Sequence, residues 1–177
     1  MESRRLVIAP ITPQDYPEAA EVYRHSRRFL VEISGEKAEG LGPGLLEREV
    51  AEAGAHGALF NSIRLKNNGR MVGIVVYEPS GHDGQPSQAW LAVLMIAEPL
   101  QRQGYGVEAY KSIEDAIFEN PEVRSIRLGV LENNPSAFRF WSRMGYRDTG
   151  GRKPGGRGHE VIVMEKRRSR PGSTRPQ

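Results

Sequence analysis

The feature that most constrains the fold of this 177-residue chain is an apolar run that leads into a glycine turn. Residues 90–96 are seven successive apolar residues, which is typical of a strand buried on both faces. Gly104-Tyr105-Gly106 follows, and apolar residues then recur every three or four positions, which predicts an amphipathic helix. The segment therefore predicts a buried strand that leads through a short turn into a helix.

The turn between this strand and this helix suits a phosphate group. Successive backbone N–H groups at the start of a helix, together with the helix dipole, form a concavity for an anion. Gly104 and Gly106 lack Cβ atoms, so a diphosphate can approach the main chain closely, and Arg102 can add a contact. The same glycines also fit tight packing without any ligand, which is the commoner situation for such a turn.

Hydrophobic periodicity divides the rest of the chain into strands and helices. Apolar alternation and short apolar runs predict strands at 6–8, 63–65, 71–77, 126–130 and 161–164. Asn67-Asn68-Gly69 predicts a tight turn between the second and third of these strands. Helical spacing predicts helices from Thr12 to about residue 35, at 45–53 and from Asn134 to about Gly145. The Gly/Arg-rich residues 150–158 are expected to form a mobile loop.

The helix that begins at Asn134, taken together with the glycine turn, resembles the GNAT superfamily of N-acetyltransferases. The resemblance extends from about residue 6 to residue 165. The matching motifs are Gln101-x-x-Gly104-x-Gly106 and Asn134-x-x-Ala137-x-x-Phe140-Trp141-x-x-x-Gly145-Tyr146. It implies an α/β (α+β) fold, with a mixed, mostly antiparallel sheet of six or seven strands and about four flanking helices. It also implies one domain over residues 1–168, and we expect a disordered basic tail over residues 169–177.

The resemblance implies an acetyl-CoA-dependent N-acetyltransferase in which an amine attacks the thioester directly in a ternary complex. The backbone of the central strand would pair with the pantetheine arm, and an N–H there would stabilise the oxyanion. Residues 102–107 would hold the pyrophosphate, and Asn134 would bond the cofactor, cap its helix, or do both. The residues expected to bind acetyl-CoA are Leu94, Met95, Ile96, Gln101, Arg102, Gln103, Gly104, Tyr105, Gly106, Val107, Asn134 and Trp141.

The sequence does not assign a general acid. Trp141 stands where the family commonly has a Tyr that protonates the leaving thiolate. Indole is only a hydrogen-bond donor and a very poor acid, so Trp141 cannot take that role. Ser142 and Tyr146 carry hydroxyls nearby, and Tyr146 occupies a position usually filled by a packing aromatic. Because a thiolate is a tolerable leaving group, water can also supply the proton.

The candidate base is Glu78, at the end of the third strand, acting directly or through a water. Glu98 and Glu32 follow it, and for each of these carboxylates a solvated surface position is the alternative. Some relatives use a Glu in the strand before the second motif, a region that Gly129 and Val130 occupy here. His82 lies in a polar loop and is expected to face solvent.

Composition excludes several kinds of chemistry. Without any cysteine there is no disulfide, no thiolate nucleophile and no Cys-ligated metal, and the histidine spacing predicts no metal site. No apolar run approaches the roughly 20 residues of a membrane span, and a cytoplasmic location is expected. Residues 143–177 carry ten basic and three acidic residues, whereas the preceding 142 carry 15 and 19. Without interleaved aromatics, this asymmetry favours a solvated tail over a nucleic-acid partner.

The acceptor is the least constrained part of the prediction. Residues 25–40 and 80–87 are expected to line its opening. The carboxylates that would favour a cationic amine, such as a polyamine, an aminoglycoside, a lysine or a protein N-terminus, are Glu32, Glu36, Glu78 and Asp83. A homodimer is compatible with the family, although the sequence carries no signal for it. Two other interpretations stay open: a catalytically impaired acetyl-CoA sensor or partner domain, and an RNA-directed acetyltransferase.

Overall fold

The computed structural model describes residues 1–26, 43–155 and 158–169, and these form seven strands and four helices. The strands are β1 (Leu6–Pro10), β2 (Leu59–Leu65), β3 (Met71–Glu78), β4 (Gln88–Ile96), β5 (Ser125–Leu131), β6 (Arg147–Pro154) and β7 (Glu160–Arg167). The helices are α1 (Tyr16–Arg24), α2 (Pro43–Ala55), α3 (Tyr105–Glu119) and α4 (Pro135–Arg143).

The strands form one mixed sheet in the order β1-β2-β3-β4-β5-β7-β6. Only β4 and β5 pair in parallel, and every other neighbouring pair of the described strands is antiparallel. The parallel pair requires a crossover, which α3 supplies between the end of β4 and the start of β5. The predicted fold, a mostly antiparallel sheet flanked by helices, is confirmed.

An apolar cluster covers each face of the sheet. On one face, Tyr110 and Ile113 of α3 and Trp141 of α4 pack on the strands. On the other face, Tyr23 of α1 and Leu46 of α2 pack on β2, β3 and β4. Burial of each such side chain contributes about 1.5–3 kcal/mol, which holds the helices against the sheet. Within the described ranges, no helix combines the length and apolar character that a membrane span requires.

The first helix begins as predicted and ends within the described residues. Thr12 donates its backbone N–H and its hydroxyl to the Asp15 carboxylate, at 2.7 and 2.8 Å, before α1 starts. The helix ends at Arg24, and the remainder of the predicted helix reaches into residues 27–42, outside the described ranges. Glu32 and Glu36 lie in that same segment. The tight turn is confirmed, with Gly69 at φ +72°.

Two predictions about strands are wrong. Residues 150–154 belong to β6, an edge strand that pairs with β7, rather than to a mobile loop. Every residue of β6 is exposed, so the sequence there carries no apolar alternation. Strand β4 is also not buried on both faces throughout, because Ala92 is exposed and Val93 and Leu94 are half-buried. The cause lies in how β4 meets β5.

Candidate active site

A cleft opens in the middle of the sheet because β4 and β5 separate. The two strands pair only from Gln88 with Ser125 to Leu91 with Leu128. Directly after Leu91, β4 carries an extra residue, Ala92, and the strand resumes its pairing with β3 at Val93. Such a bulge bends a strand and increases its twist. Beyond it the edge of β4 that faces β5 is not paired with β5, and its backbone groups are available to a ligand.

The cleft has a volume of about 350 Å³. Its walls are the diverging strands, the start of α4 and the end of β6. Of the residues predicted to bind the cofactor, Leu94, Asn134 and Trp141 line it. Met95 and Ile96 lie further along β4, and both side chains are buried. Their predicted contacts are made by the backbone, which side-chain burial leaves unaffected.

The predicted phosphate turn lies where β4 ends and α3 begins. Gly104 has φ +83°, a left-handed conformation that favours glycine, and Arg102 also has a positive φ of +64°. The first bond of the helix runs from the Glu108 N–H to the Gly104 carbonyl at 3.0 Å. The N–H groups of Tyr105, Gly106 and Val107 precede it and have no acceptor within the helix. The turn therefore presents backbone donors and no Cβ at Gly104.

Side chains fasten this turn to the strand before it. Gln101 donates its side-chain amide to the Ile96 carbonyl at 2.9 Å, so this motif residue positions the turn. Gln103 makes a longer contact of 3.5 Å with the Pro99 carbonyl. Gly106 faces Ile96 and Phe140, where a Cβ would lie 3.7–3.8 Å from both side chains. A Cβ at position 106 would thus make only ordinary van der Waals contacts, so packing does not require glycine there.

Asn134 is placed both to cap its helix and to bond a ligand in the cleft, the two roles predicted from the sequence. Its Oδ1 accepts a hydrogen bond from the Ala137 N–H at 3.0 Å and from the Ser136 hydroxyl at 2.9 Å, so it caps α4. The same residue lines the cleft. Since Oδ1 is occupied by the cap, the group available to a ligand is the side-chain N–H₂.

The hydroxyls near Trp141 lie outside the cleft. Tyr146 is 3% exposed, its hydroxyl accepts from that of Tyr110 at 3.2 Å, and burial raises the pKa of Tyr146. Ser142 donates to the Phe138 carbonyl at 2.8 Å on the exposed side of α4. Neither residue lines the cleft. Trp141 does line it, and its indole packs edge-on against three aromatic rings. Both hydroxyls are thus engaged in contacts away from the cleft.

Glu78 and His82 form a pair behind the cleft, on the face covered by α1 and α2. Nδ1 of His82 lies 2.7 Å from Oε2 of Glu78, and the imidazole stacks on the Trp90 indole with ring centroids 4.5 Å apart. Trp90 is the cross-strand partner of Glu78 and lines the cleft. His82 is therefore mostly covered, with 13% of its side chain exposed, and the prediction that it faces solvent is wrong.

A lysine and a further carboxylate lie against Trp90 and His82. Nζ of Lys153 lies 4.9 Å from the centroid of the Trp90 ring and 3.5 Å from Oδ2 of Asp83. Asp83 adopts φ +52° in the short turn that carries His82. No local pattern could have predicted this group, because Lys153 and Asp83 are 70 residues apart in sequence.

The other candidate carboxylate lies elsewhere. Glu98 begins the turn that precedes the glycines, and its N–H donates to the His25 carbonyl at 3.2 Å. It is exposed and does not line the cleft. Two of the predicted bases, Glu78 and Glu98, lie within the described residues. Of these, only Glu78 is next to a residue of the cleft wall, Trp90.

Comparisons with known proteins agree with this fold. The sequence profile of the Acetyltransferase (GNAT) family matches residues 15–146. The spermine/spermidine N(1)-acetyltransferase of Bacillus subtilis (strain 168) is 27% identical over 109 residues, which cover 60% of this chain and 70% of that protein. An acetyltransferase from Thermus thermophilus has a TM-score of 0.72 at 22% identity, covering 94% of this chain and 99% of that one. The spermidine N-acetyltransferase from Vibrio cholerae, in complex with CoA and spermine, has a TM-score of 0.71 at 16% identity, covering 92% and 95%.

Proposed function

Because the chain belongs to the acetyltransferase (GNAT) family and is an acyltransferase, we propose that it transfers the acetyl group of acetyl-CoA to a primary amine. The observation that carries the proposal is the cleft between β4 and β5, from which the unpaired edge of β4 continues to the glycine turn. An extended thiol arm can add to the unpaired edge of β4 as a strand would, while the diphosphate meets the turn.

Each part of the cofactor has a proposed partner. The backbone of Leu94, Met95 and Ile96 pairs with the pantetheine arm, and the N–H₂ of Asn134 adds a hydrogen bond. The residues proposed for the diphosphate end are Arg102, Gln103, Gly104, Tyr105, Gly106 and Val107, with Gln101 holding their turn in place. Trp141 contributes an apolar wall.

The reaction we propose is a direct displacement. The neutral amine nitrogen attacks the thioester carbonyl carbon, and a backbone N–H on the β4 edge stabilises the oxyanion that forms. The tetrahedral intermediate then loses one of the two protons on its nitrogen to water and collapses, the C–S bond breaks, and the amide and CoA thiolate separate. The thiolate takes its proton from water. Trp141 is too weak an acid to supply it, and the hydroxyls of Ser142 and Tyr146 do not face the cleft. This cysteine-free chain offers no thiolate for a covalent relay.

The amine must lose a proton before or during attack, because an alkylammonium has a reference pKa of about 10.4. We assign this proton to Glu78, which receives it through a water at the Trp90 end of the cleft. His82 holds the carboxylate in place by its 2.7 Å contact and by stacking on Trp90. Both side chains are largely covered, which limits competition from bulk solvent for this contact.

For the acceptor we propose a polyamine-like cation. The Bacillus subtilis relative is named for spermine and spermidine, and the Vibrio cholerae structure contains spermine. In this chain the carboxylates of Glu78 and Asp83 lie around the Trp90 ring at one end of the cleft. Lys153 is the cation already present there, and an acceptor ammonium would take its place. Aminoglycosides, lysine and N-terminal amines belong in the same panel of acceptors as alternatives.

The test begins with thermal unfolding in the presence and absence of acetyl-CoA. At about 100 times its Kd the ligand adds roughly 2.7 kcal/mol to the free energy of unfolding. Thiol release with a panel of amines then measures turnover, and the absence of cysteine removes the protein's own thiol background. Release of CoA that depends on the amine supports the proposal. Binding of acetyl-CoA without turnover of any amine identifies an acetyl-CoA sensor instead.

A further inference from the structure

Arg5, 99 residues before Gly104 in sequence, reaches the glycine turn from the residue that precedes β1. Its Nη1 donates to the Gln103 carbonyl at 3.1 Å, and its guanidinium carbon lies 4.4 Å from the centre of the Tyr105 ring. Its Nη2 lies 3.3 Å from the point where a Cβ on Gly104 would stand. The guanidinium therefore covers three successive residues of the turn.

Glu108 fixes this guanidinium in position. Oε2 of Glu108 accepts from Nε of Arg5 at 2.6 Å, while Oε1 accepts from the Arg5 backbone N–H at 2.6 Å and from the Ser3 hydroxyl at 2.7 Å. Although burial raises the pKa of Glu108, the hydrogen bonds from Ser3 and Arg5 lower it overall, so the carboxylate is ionised at neutral pH. Arg5 thus has little freedom to leave the turn.

Two of the three side-chain nitrogens of Arg5 are used by these contacts, and Nη2 remains beside Gly104. A guanidinium is always charged and presents five N–H donors in a planar fork, a geometry that matches phosphate oxygens. Side chains ordered in advance lose less entropy when a ligand binds. Arg5 is 37% exposed in its side chain, so a ligand at the turn can reach it.

We propose that Arg5 binds the diphosphate of acetyl-CoA, through Nη2 above the Gly104 turn. The proposal rests on the proposed function, since it takes acetyl-CoA as the donor. It adds a residue outside both sequence motifs to the donor site and explains why an ion pair is built at the start of α3. Arg102, which the motif itself contains, is exposed in the same turn.

The experiment compares Arg5→Gln with Arg4→Gln, a neighbouring exposed arginine, by calorimetric titration with CoA. Hydrogen bonds to charged groups correspond to about 10- to 100-fold in binding, and for a partly exposed guanidinium we expect about tenfold weaker CoA binding in Arg5→Gln. Arg4→Gln should bind CoA as the unsubstituted protein does. The dependence of log Kd on log salt should also become shallower in Arg5→Gln, because one cationic contact with the ligand is lost.

Two smaller molecules distinguish a contact with the diphosphate from a contact with the 3′-phosphate. With 3′-dephospho-CoA, which keeps the diphosphate, the tenfold loss in Arg5→Gln should persist. With acetyl-pantetheine, which has no phosphate, the KM of Arg5→Gln and of the unsubstituted protein should be equal. A loss that disappears with 3′-dephospho-CoA would place Arg5 at the 3′-phosphate and overturn the diphosphate assignment. Equal Kd values for CoA in Arg5→Gln and the unsubstituted protein would overturn the whole proposal.

The folding of the variant needs its own control, because Arg5 also pairs with Glu108. If Arg5→Gln does not fold, Arg5→Lys provides the test. It keeps the charge but replaces the planar fork, whose separate nitrogens face Glu108, Gln103 and the phosphate, by a single ammonium nitrogen. We then expect weaker CoA binding with an unchanged KM for acetyl-pantetheine, and unchanged CoA binding would contradict the proposal. If the unsubstituted protein does not bind CoA, the proposed function itself fails, a result distinct from either outcome for Arg5.

Discussion

Replacing Gly104 by alanine tests whether a ligand approaches the main chain at the glycine turn. Gly104 has φ +83°, and a residue with a Cβ costs roughly 1–2 kcal/mol in the left-handed region. Gly57, in the loop before β2, has φ +74° and open space around its missing Cβ, so Gly57→Ala reports this backbone cost alone. For a chain of this size each kcal/mol lowers the thermal midpoint by about 2–4 °C, and both variants should lose a similar amount without ligand.

The two variants should differ once acetyl-CoA is present. A methyl group on Gly104 would stand 3.3 Å from Nη2 of Arg5, on the side of the turn where the diphosphate is proposed to bind. If this weakens binding tenfold, a ligand concentration that was about 100 times Kd becomes about 10 times Kd. The ligand's contribution then falls from about 2.7 to about 1.4 kcal/mol in Gly104→Ala, and the ligand-induced shift falls by about half.

The assay is thermal unfolding of the unsubstituted protein, Gly57→Ala and Gly104→Ala at one fixed acetyl-CoA concentration. Gly57→Ala should keep the full ligand-induced shift despite its lower midpoint, since Gly57 does not line the cleft. If Gly104→Ala also kept the full shift, the main chain at Gly104 would not be in contact with the ligand. The glycine would then serve only the tight turn, and the diphosphate site would have to be sought elsewhere.

Three further predictions address the chemistry and the stability. Glu78→Gln should lower kcat about 100-fold or more, because a general base contributes about 10²–10⁴ in rate, while the Kd of acetyl-CoA stays unchanged. Steady-state kinetics measures kcat and calorimetry measures Kd. An unchanged kcat would show that Glu78 is not the base. Tyr146→Phe should keep kcat, since that hydroxyl is buried against Tyr110; a large loss of kcat would restore Tyr146 as the acid. The lowered pKa of Glu108 stabilises the folded protein above the unfolded value of about 4.3, and this contribution is lost as pH falls through the folded pKa. The midpoint of Glu108→Gln should therefore fall less between about pH 7 and pH 3 than that of the unsubstituted protein, and an equal fall would contradict the assignment.

The sequence could predict the features that depend on residues close together in the chain. The apolar spacing of α3 and the glycines at its start are local, so the strand, turn and helix around Gly104 were predictable. Strand β6 has no buried residue, and its pairing with β7 is made by backbone groups that leave no trace in side-chain pattern. The exposure of Ala92 depends on the divergence of β5, a strand that begins only at Ser125. An apolar run predicts burial, but it does not show whether the neighbouring strand remains paired along its whole length.

The contacts that refine the site are also non-local. Arg5 and Glu108 are 103 residues apart, and neither belongs to a recognisable motif. His82 sits among Gly, Asp and Ser residues, a composition typical of exposed loops, yet it is covered because Trp90 offers a flat surface for stacking. Polar residues whose partners come from distant segments can be placed only once the topology is known.

The position of the candidate base follows from a steric constraint on β5. A Cβ on Gly129 would lie 2.6 Å from Cγ1 of Val161 and 3.7 Å from the Trp90 ring, so no longer side chain fits there without rearranging its neighbours. The space that a glutamate on β5 would need is occupied by Trp90 and Val161. Glu78 approaches the same Trp90 from β3 instead, across the antiparallel pair, with His82 holding its carboxylate. An indole at position 90 and a glycine at position 129 are thus complementary, and together they favour a proton acceptor on the β3 side of the cleft.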